Sequence, residues 1–125
     1  MTTYSQLSKD ITKQLTKKEK KDNGIYFTPP STVIKNIRYL KKLNINFERI
    51  LEPSCGTGEF LNALSSRLPE SSIVAVEKNT TIYDSLQNQF PERIQIYNDD
   101  FITRNIDDKF NLIIGNPPYF VLKKK

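Results

Sequence analysis

The chain has 125 residues, the length of one modest domain, and can bury a hydrophobic core. Its 19 Lys and Arg residues against 14 Asp and Glu residues give a net charge of +5, which favours a polyanionic partner. The absence of His excludes His-based triads, His general bases and His metal ligands. A single cysteine, Cys55, excludes an internal disulfide and fits a reducing compartment.

Much of the positive charge lies in two short runs, Lys17–Lys21 and Lys123–Lys125. Such runs fit a nucleic-acid contact and a solvated surface equally well. No secretory signal and no membrane-spanning apolar run is visible. We therefore expect a soluble, cytoplasmic protein with no membrane partner and no metal.

The N-terminal segment predicts a thin amphipathic helix from Tyr4 to Lys21. Leu7, Ile11 and Leu15 recur at helical spacing among polar residues, and Asp22-Asn23-Gly24 ends the pattern. Packing and solubility are sufficient roles for such a helix.

A second helix is predicted from about Pro30 to Leu43, after the loop Thr28-Pro29-Pro30. Proline suits the first turn of a helix, because its missing N–H would have no intrahelical partner there. The predicted buried face consists of apolar residues at helical spacing: Val33, Ile34, Ile37, Leu40 and Leu43.

The stretch from Arg49 to Phe60 predicts a short strand, a glycine-containing turn and the start of a helix. The helix carries an apolar face of Phe60, Leu61, Leu64 and Leu68. Glu59 in its first turn complements the helix dipole. This order of elements is typical of an α/β fold of the dinucleotide-binding type.

The glycine turn does not have the features of a phosphate-binding loop. The third glycine of G-x-G-x-x-G is missing, and no Walker lysine follows. Glu52 at the end of the strand would repel phosphate, whereas its carboxylate suits an ammonium group. The pattern therefore favours a nucleoside with an amino-acid tail over NAD or ATP.

A second buried strand is predicted from Ser72 to Glu77. Glu77 lies about 20 residues beyond the glycine turn, where this architecture places the acid that binds ribose hydroxyls. A helix should follow, capped by Asn79 or Thr80, with an apolar face of Ile82, Leu86 and Phe90 and an end at Pro91.

A third strand, Ile94–Asn98, leads into Asp100 and Phe101. A carboxylate beside an aromatic ring can bind adenine, since the carboxylate accepts from the amine and the ring packs on the base. A capping Asp and a core Phe would explain the pair nearly as well.

The apolar run Phe110–Gly115 predicts a fourth buried strand that leads into Asn116-Pro117-Pro118-Tyr119. The two prolines fix φ, and Asn116 is pushed toward an extended conformation by the proline after it. The result is a rigid segment with an amide, free carbonyls and an aromatic face, suited to a flat group bearing an amine. The alternative is a proline-rich turn that only ends the strand.

In this β-α-β-α-β-loop-β pattern every strand has polar residues at its carboxyl end. Parallel α/β sheets bind ligands along that edge. The expected cluster comprises Glu52, Gly56, Gly58, Glu77, Asp100, Phe101 and Asn116 to Tyr119.

Together these blocks resemble the DNA adenine-N6 methyltransferases in which the cofactor-binding half comes first and the target-recognition region is C-terminal. The resemblance rests on Thr28-Pro29-Pro30, Leu51–Phe60, Asp100-Phe101 and Asn116–Tyr119, and it covers about Gly24 to Phe120. It implies a Rossmann-like fold of the class I methyltransferases. The glycine-turn block and the tetrapeptide are specific in combination, and the other two pairs support them.

The resemblance implies S-adenosylmethionine as the cofactor and double-stranded DNA with a flipped adenine as the substrate. Thr28 would contact the carboxylate of the cofactor, and the turn made of Glu52, Pro53, Ser54, Cys55, Gly56 and Gly58 would hold its methionine part. Glu77 would bind the ribose, and Asp100 with Phe101 the adenine ring. In the tetrapeptide, the Asn116 side chain and the Pro117 carbonyl would accept hydrogen bonds from the target amine, and Tyr119 would stack on the base. Pro118 completes this catalytic block, whereas Cys55 is not expected to be catalytic.

The chain departs from that family in length. Such enzymes have a seven-stranded sheet and a recognition region, whereas this sequence predicts four strands, with an apolar fourth strand at the edge. We expect residues 1–23 to form a basic helix and residues 24–125 an S-adenosylmethionine-binding domain that is incomplete at its C-terminus. The chain would then be the N-terminal part of a larger enzyme, one half of a split enzyme whose second polypeptide supplies the missing strands, or a truncated gene product. Alone it would methylate poorly or not at all.

Two other functions remain open. A protein glutamine-N5 methyltransferase uses the same tetrapeptide on another planar NH₂ group, although the short N-terminal helix and Thr28-Pro29-Pro30 speak against it. A non-catalytic remnant that binds cofactor or DNA is the second. A cognate restriction enzyme, as in a restriction-modification pair, is compatible with the sequence but not indicated by it.

Overall fold

The computed structural model describes residues 28–116 and four residues of the N-terminal segment. These four, Gln6, Lys9, Asp10 and Lys13, are helical and exposed, as predicted for this segment. The Gln6 side chain donates a hydrogen bond of 2.8 Å to Asp10, one helical turn away. The remainder of the predicted N-terminal helix lies outside the described residues.

Residues 28–116 form three helices and four strands in alternating order. In chain order these are α1 (Pro30–Lys42), β1 (Arg49–Glu52), α2 (Glu59–Arg67), β2 (Ser72–Glu77), α3 (Thr80–Leu86), β3 (Ile94–Asn98) and β4 (Leu112–Ile113). None of the helices in the described part of the chain has the length and apolarity that crossing a membrane requires.

The four strands form one parallel sheet in the order β3-β2-β1-β4. The chain moves outward from β1 through β2 to β3 and then crosses back to place β4 on the other side of β1. The predicted α/β fold with about four parallel strands is confirmed. Because β1 is the strand at which the order reverses, the carboxyl end of β1 is the expected ligand site of such a sheet.

Helices α1 and α2 pack against each other, and apolar side chains of all three helices and of the sheet share one core. Its fully buried members include Val33, Ile37, Ile50, Leu61, Leu64, Ile73, Ile82 and Leu86. The apolar face predicted for α1 is confirmed at Val33 and Ile37. It is wrong at Leu43, which is 43% exposed, because α1 ends at Lys42.

The helix after β2 is shorter than its apolar pattern predicts. α3 ends at Leu86, and Asn88 has a φ of 63°, a left-handed conformation that a helix cannot contain. The prediction that Pro91 ends this helix is therefore wrong. Phe90 still packs against the core, from the irregular segment after the helix rather than from its third turn.

Strand β4 covers only Leu112–Ile113 of the predicted run Phe110–Gly115. Among the described residues it pairs with β1 alone, and the side chain of Ile113 is 64% exposed. The prediction of a buried strand is wrong at this residue, whereas the prediction of an apolar strand at the edge is confirmed. Two flanking backbone bonds extend the contact, from Asn111 N to Arg49 O (2.8 Å) and from Ile114 N to Leu51 O (3.0 Å).

Candidate functional site

The glycine turn between β1 and α2 is held against the neighbouring strand β2. Cys55 N donates to Val76 O at 3.0 Å, and Gly58 N donates to Cys55 O at 3.0 Å. Gly56 and Gly58 have φ values of 54° and 82°, which side-chain-bearing residues rarely adopt. These glycines let the chain turn sharply from the end of β1 into α2.

Gly58 also lies against the core. A Cβ at this position would be 3.0 Å from Phe90 Cζ and 3.3 Å from Leu86 Cδ2. The segment after α3 therefore packs directly beneath the turn. This packing explains why Phe90 remains in the core although it is not helical.

Glu77, the last residue of β2, binds the glycine turn through its carboxylate. One oxygen accepts from Gly56 N at 2.7 Å, and the other accepts from Asn79 N at 3.0 Å. The side chain is buried, and burial raises the pKa of the Glu77 carboxyl, an effect that the bonds from Asn79 and Gly56 oppose. Glu77 thus joins the turn after β1 to the turn after β2, a structural role that the sequence did not reveal.

Glu52, the last residue of β1, is completely buried. Its Oε1 accepts a long bond of 3.4 Å from Ser54 N, and its Oε2 has no hydrogen-bond partner among the described residues. Burial raises the pKa of Glu52 well above its usual value, and the charge of Glu77 adds to this, whereas the bond from Ser54 opposes it. A buried carboxyl with an unpartnered oxygen is costly unless a ligand compensates it.

This burial predicts a pH dependence of stability. A carboxyl whose pKa is raised in the folded state stabilises the fold at pH values below the pKa of the unfolded state, near 4.5. This contribution is lost as the pH rises through the pKa of the folded state. Without ligand, we expect Glu52→Gln to gain stability relative to the parent as the pH rises from 4.5. Urea unfolding at a series of pH values measures this difference, and a constant difference would contradict it.

Asn116, the first residue of the tetrapeptide, lies beside Thr28. Its Nδ2 donates to Thr28 Oγ1 at 3.2 Å, which joins two residues separated by 88 positions. Both residues line one pocket with the glycine turn and the start of α2. The lining residues are Thr28, Ser54, Cys55, Gly56, Thr57, Glu59, Phe60 and Asn116, around about 270 Å³ of space that is open to solvent.

The pocket combines a small apolar wall with several polar groups. Ser54 Oγ is buried and has no hydrogen-bond partner within the described residues. Such a pocket can take part of a nucleoside or amino-acid ligand.

Gly115 is a site residue that the sequence analysis missed. A Cβ at this position would overlap Glu52 Oε1, and it would be 3.0 Å from Glu52 Cδ and 3.5 Å from Pro53 Cδ. In the sequence, Gly115 is an ordinary glycine after an apolar run. No local signal could have revealed that a carboxyl group of β1 lies against it.

Asp100 and Phe101 lie after β3, on the other side of Glu77 from this pocket, and do not line it. Asp100 Oδ1 accepts from Ile102 N at 3.0 Å, and its Oδ2 is 3.5 Å from Lys78 Nζ. Phe101 is 39% exposed, so it is not the core residue that the alternative interpretation required. The exposed ring leaves an apolar surface for a flat group on the β3 side of Glu77.

Cys55 is buried, and its pKa is raised by burial first and then by the charges of Glu52 and Glu77. The thiol therefore remains protonated and is a poor nucleophile.

Within residues 28–116 and the four described N-terminal residues, no three His, Cys, Asp or Glu side chains cluster as metal ligands do.

The structure thus brings together Thr28, the turn from Glu52 to Gly58, Glu77 and Asn116. Asp100 and Phe101 lie at the same edge of the sheet but separate from the pocket. Pro117, Pro118 and Tyr119 of the predicted catalytic block lie outside the described residues.

In a comparison with known protein families, residues 37–125 match the family model "Methyltransferase small domain". The Type II methyltransferase M.CvrRI of Paramecium bursaria Chlorella virus XZ-6E is 37% identical over 120 residues, which are 96% of this chain and 31% of the relative. A tRNA1(Val) (adenine(37)-N6)-methyltransferase of Bacteroides thetaiotaomicron is 35% identical over 79 residues, covering 58% of this chain and 33% of the relative. The chain therefore spans about a third of the length of these relatives.

Among solved structures, the fold is similar to that of SAM-bound CalS10, an amino pentose methyltransferase from Micromonospora echinaspora. The TM-score is 0.62 at 15% sequence identity, over 93% of this chain and 44% of that one. This similarity supports the parallel α/β architecture described above.

Proposed function

Because the chain belongs to the methyltransferase small domain family, we propose that it is the cofactor-binding part of a DNA adenine-N6 methyltransferase. In this function a methyl group passes from S-adenosylmethionine to the exocyclic amine of an adenine flipped out of the duplex. One contact carries the proposal: the Asn116 amide lies 3.2 Å from Thr28 at the pocket that the glycine turn lines. The candidate acceptor-binding residue and the candidate cofactor site are thus adjacent.

The cofactor is S-adenosylmethionine, which supplies an electrophilic methyl group when bound. The residues present fit this molecule. Glu52 Oε2 and Ser54 Oγ, which have no partner among the described residues, require polar partners, and the amino-acid tail of the cofactor has both charges. Glu52 and the glycine turn would hold that tail. Glu77 would accept from the ribose hydroxyls, while Asp100 and Phe101 would hold the adenine ring.

Asn116 would bind the target amine through its side-chain oxygen. Thr28 accepts from Nδ2 of the same amide, which fixes the direction in which Oδ1 points, and no described residue donates to Oδ1. An adenine amine is a poor nucleophile because its lone pair is delocalised into the ring. Asn116 Oδ1 and the Pro117 carbonyl would accept from the hydrogens of this amine, and two such acceptors would favour a pyramidal nitrogen with a directed lone pair.

DNA is favoured over RNA by the extent of the similarities. The viral Type II methyltransferase matches 96% of this chain, including its N-terminal segment, whereas the tRNA methyltransferase matches 58%. The net charge of +5 fits either nucleic acid. Stacking on Tyr119, worth about 1–3 kcal/mol per base, would offset the cost of about a few kcal/mol for flipping the adenine.

The experiment offers labelled S-adenosylmethionine with one of three acceptors: duplex DNA, tRNA or a cellular protein extract. The chain is assayed alone and together with any polypeptide encoded downstream of it. We expect label in DNA, recovered as N6-methyladenine after digestion, and only in the presence of the second polypeptide.

The other outcomes separate the alternatives. Label in tRNA would contradict DNA as the acceptor, and label in a protein glutamine would support the glutamine-N5 alternative. Binding of the cofactor by calorimetry without transfer to any acceptor would support a non-catalytic remnant. A stable monomer that methylates DNA unaided would contradict the need for a second polypeptide.

A further inference from the structure

Gly115 follows β4 and lies beside Glu52, the last residue of β1. The Glu52 carboxyl lies against its backbone, in the space that any side chain at position 115 would fill. Pro53 borders the same space. The next residue, Asn116, lines the pocket beside Thr28.

Glycine is required at position 115 because there is no room for a side chain, and not because of the backbone conformation. The positive-φ glycines of the described chain are Gly56 and Gly58, so the backbone of Gly115 is open to alanine as well. The obstacle to alanine is Glu52, which is itself completely enclosed. A side chain at 115 therefore displaces either Glu52 or the end of β4.

The two strands differ in how firmly they are held. β1 is paired on both sides, with β2 over four residue pairs and with β4 over two. In the described part of the chain, β4 pairs with β1 alone, and its Ile113 side chain is largely exposed. Because the Glu52 side chain is enclosed and β4 is held by β1 alone among the described residues, we expect an added methyl group to displace the end of β4 with Asn116 as well as the Glu52 carboxyl.

We propose that Gly115 is a positioning residue, whose missing side chain lets the Glu52 carboxyl set the distance between the cofactor-binding turn and Asn116. This inference rests on the proposed function and adds a residue to it. Gly115 contacts no reacting atom. It acts through the position of Asn116, and misplacement by about 1 Å lowers the rate of an enzyme on the order of 100-fold.

The test compares three variants: Gly115→Ala, Glu52→Asp and the double variant. They are made in whichever form methylates adenine in the assay above, the chain alone or the chain with the second polypeptide. Gly115→Ala is expected to lower kcat by about 100-fold with little change in the Kd for S-adenosylmethionine. In the double variant, the shorter Asp leaves room for the methyl group. We expect the second substitution to restore about tenfold of the lost rate, as residues in contact are coupled to that degree.

Ile113→Val is the control, since it alters the same strand without adding volume near Glu52. It is expected to keep the parent rate. Full activity of Gly115→Ala would overturn the inference. A loss of rate that Glu52→Asp does not relieve would also overturn it, and so would a loss of cofactor affinity as large as the loss of rate. Either result would indicate a packing role only.

A second measurement does not depend on activity. In NMR spectra of the 125-residue chain, the Asn116 side-chain amide should show a contact to Thr28 that Gly115→Ala loses and the double variant regains. If no adenine is methylated, the proposed function fails, whereas this contact still tests the positioning role. Where the single variant does not fold, the double variant is expected to fold, and an unfolded double variant would overturn the inference.

Discussion

Replacing Asn116 by alanine is expected to lower the rate of methyl transfer by about 100- to 1,000-fold, the usual effect of removing one fixed hydrogen-bonding group from developing charge. The affinity for S-adenosylmethionine should change far less, because Glu52, Glu77 and the glycine turn remain. Single-turnover rates with labelled cofactor, beside calorimetric Kd values, measure the two quantities separately.

Two further variants show which atom of Asn116 matters. Asn116→Asp keeps an acceptor oxygen but loses the Nδ2 donor to Thr28, so it should retain part of the rate. Asn62→Ala, an exposed asparagine on α2, is the matched control and should behave as the parent. An Asn116→Ala protein that transfers methyl at the parent rate would remove the tetrapeptide from the mechanism.

Replacing Glu77 by alanine is expected to affect both the fold and cofactor binding. The change leaves Gly56 N and Asn79 N without their acceptor in a buried region, which should lower the free energy of unfolding by about 2–4 kcal/mol. It also removes the proposed ribose-binding group. We expect the Kd for S-adenosylmethionine to rise about 100-fold, as for the loss of charged hydrogen bonds worth about 3 kcal/mol.

Glu77→Gln separates the two effects. The amide keeps one acceptor oxygen for the backbone, so stability should fall less than in the alanine variant, while a neutral group should bind the ribose less well. Urea unfolding and calorimetry measure the two losses. Glu92→Ala, which removes an exposed carboxylate, is the control. Unchanged cofactor affinity in both Glu77 variants would assign Glu77 a structural role alone.

The strands β1, β2 and β3 could be predicted from the sequence because each is a short run with apolar residues and ends at a polar residue or a turn. The end of α3 could not be predicted in this way. Phe90 continues the helical spacing of Ile82 and Leu86, yet it reaches the core through an irregular segment in which Asn88 adopts a positive φ. Periodicity records which side chains face the core, not the backbone path that takes them there.

The candidate site was predictable where a residue type and its position at a strand end sufficed, as for Glu52, Glu77 and Asn116. Its internal contacts were not. The bond from Gly56 N to Glu77 and the approach of Gly115 to Glu52 join segments far apart in the chain. Such contacts depend on the order and stagger of the strands, which short patterns do not encode.

The crossover that places β4 beside β1 also bears on the order of assembly. Paired residues of β1 and β2, such as Arg49 and Ser72, are 23 positions apart, and those of β2 and β3, such as Ile73 and Ile94, are 21 positions apart. The bond between Arg49 and Asn111 spans 62 positions. Pairing over such a distance costs more chain entropy and forms later than local pairing. Gly115, which follows β4, lies against the Glu52 carboxyl, so we expect the pairing of β4 to complete the enclosure of that group. Burying a charge is costly, so a cationic group bound at Glu52 is expected to favour this pairing of β4 with β1.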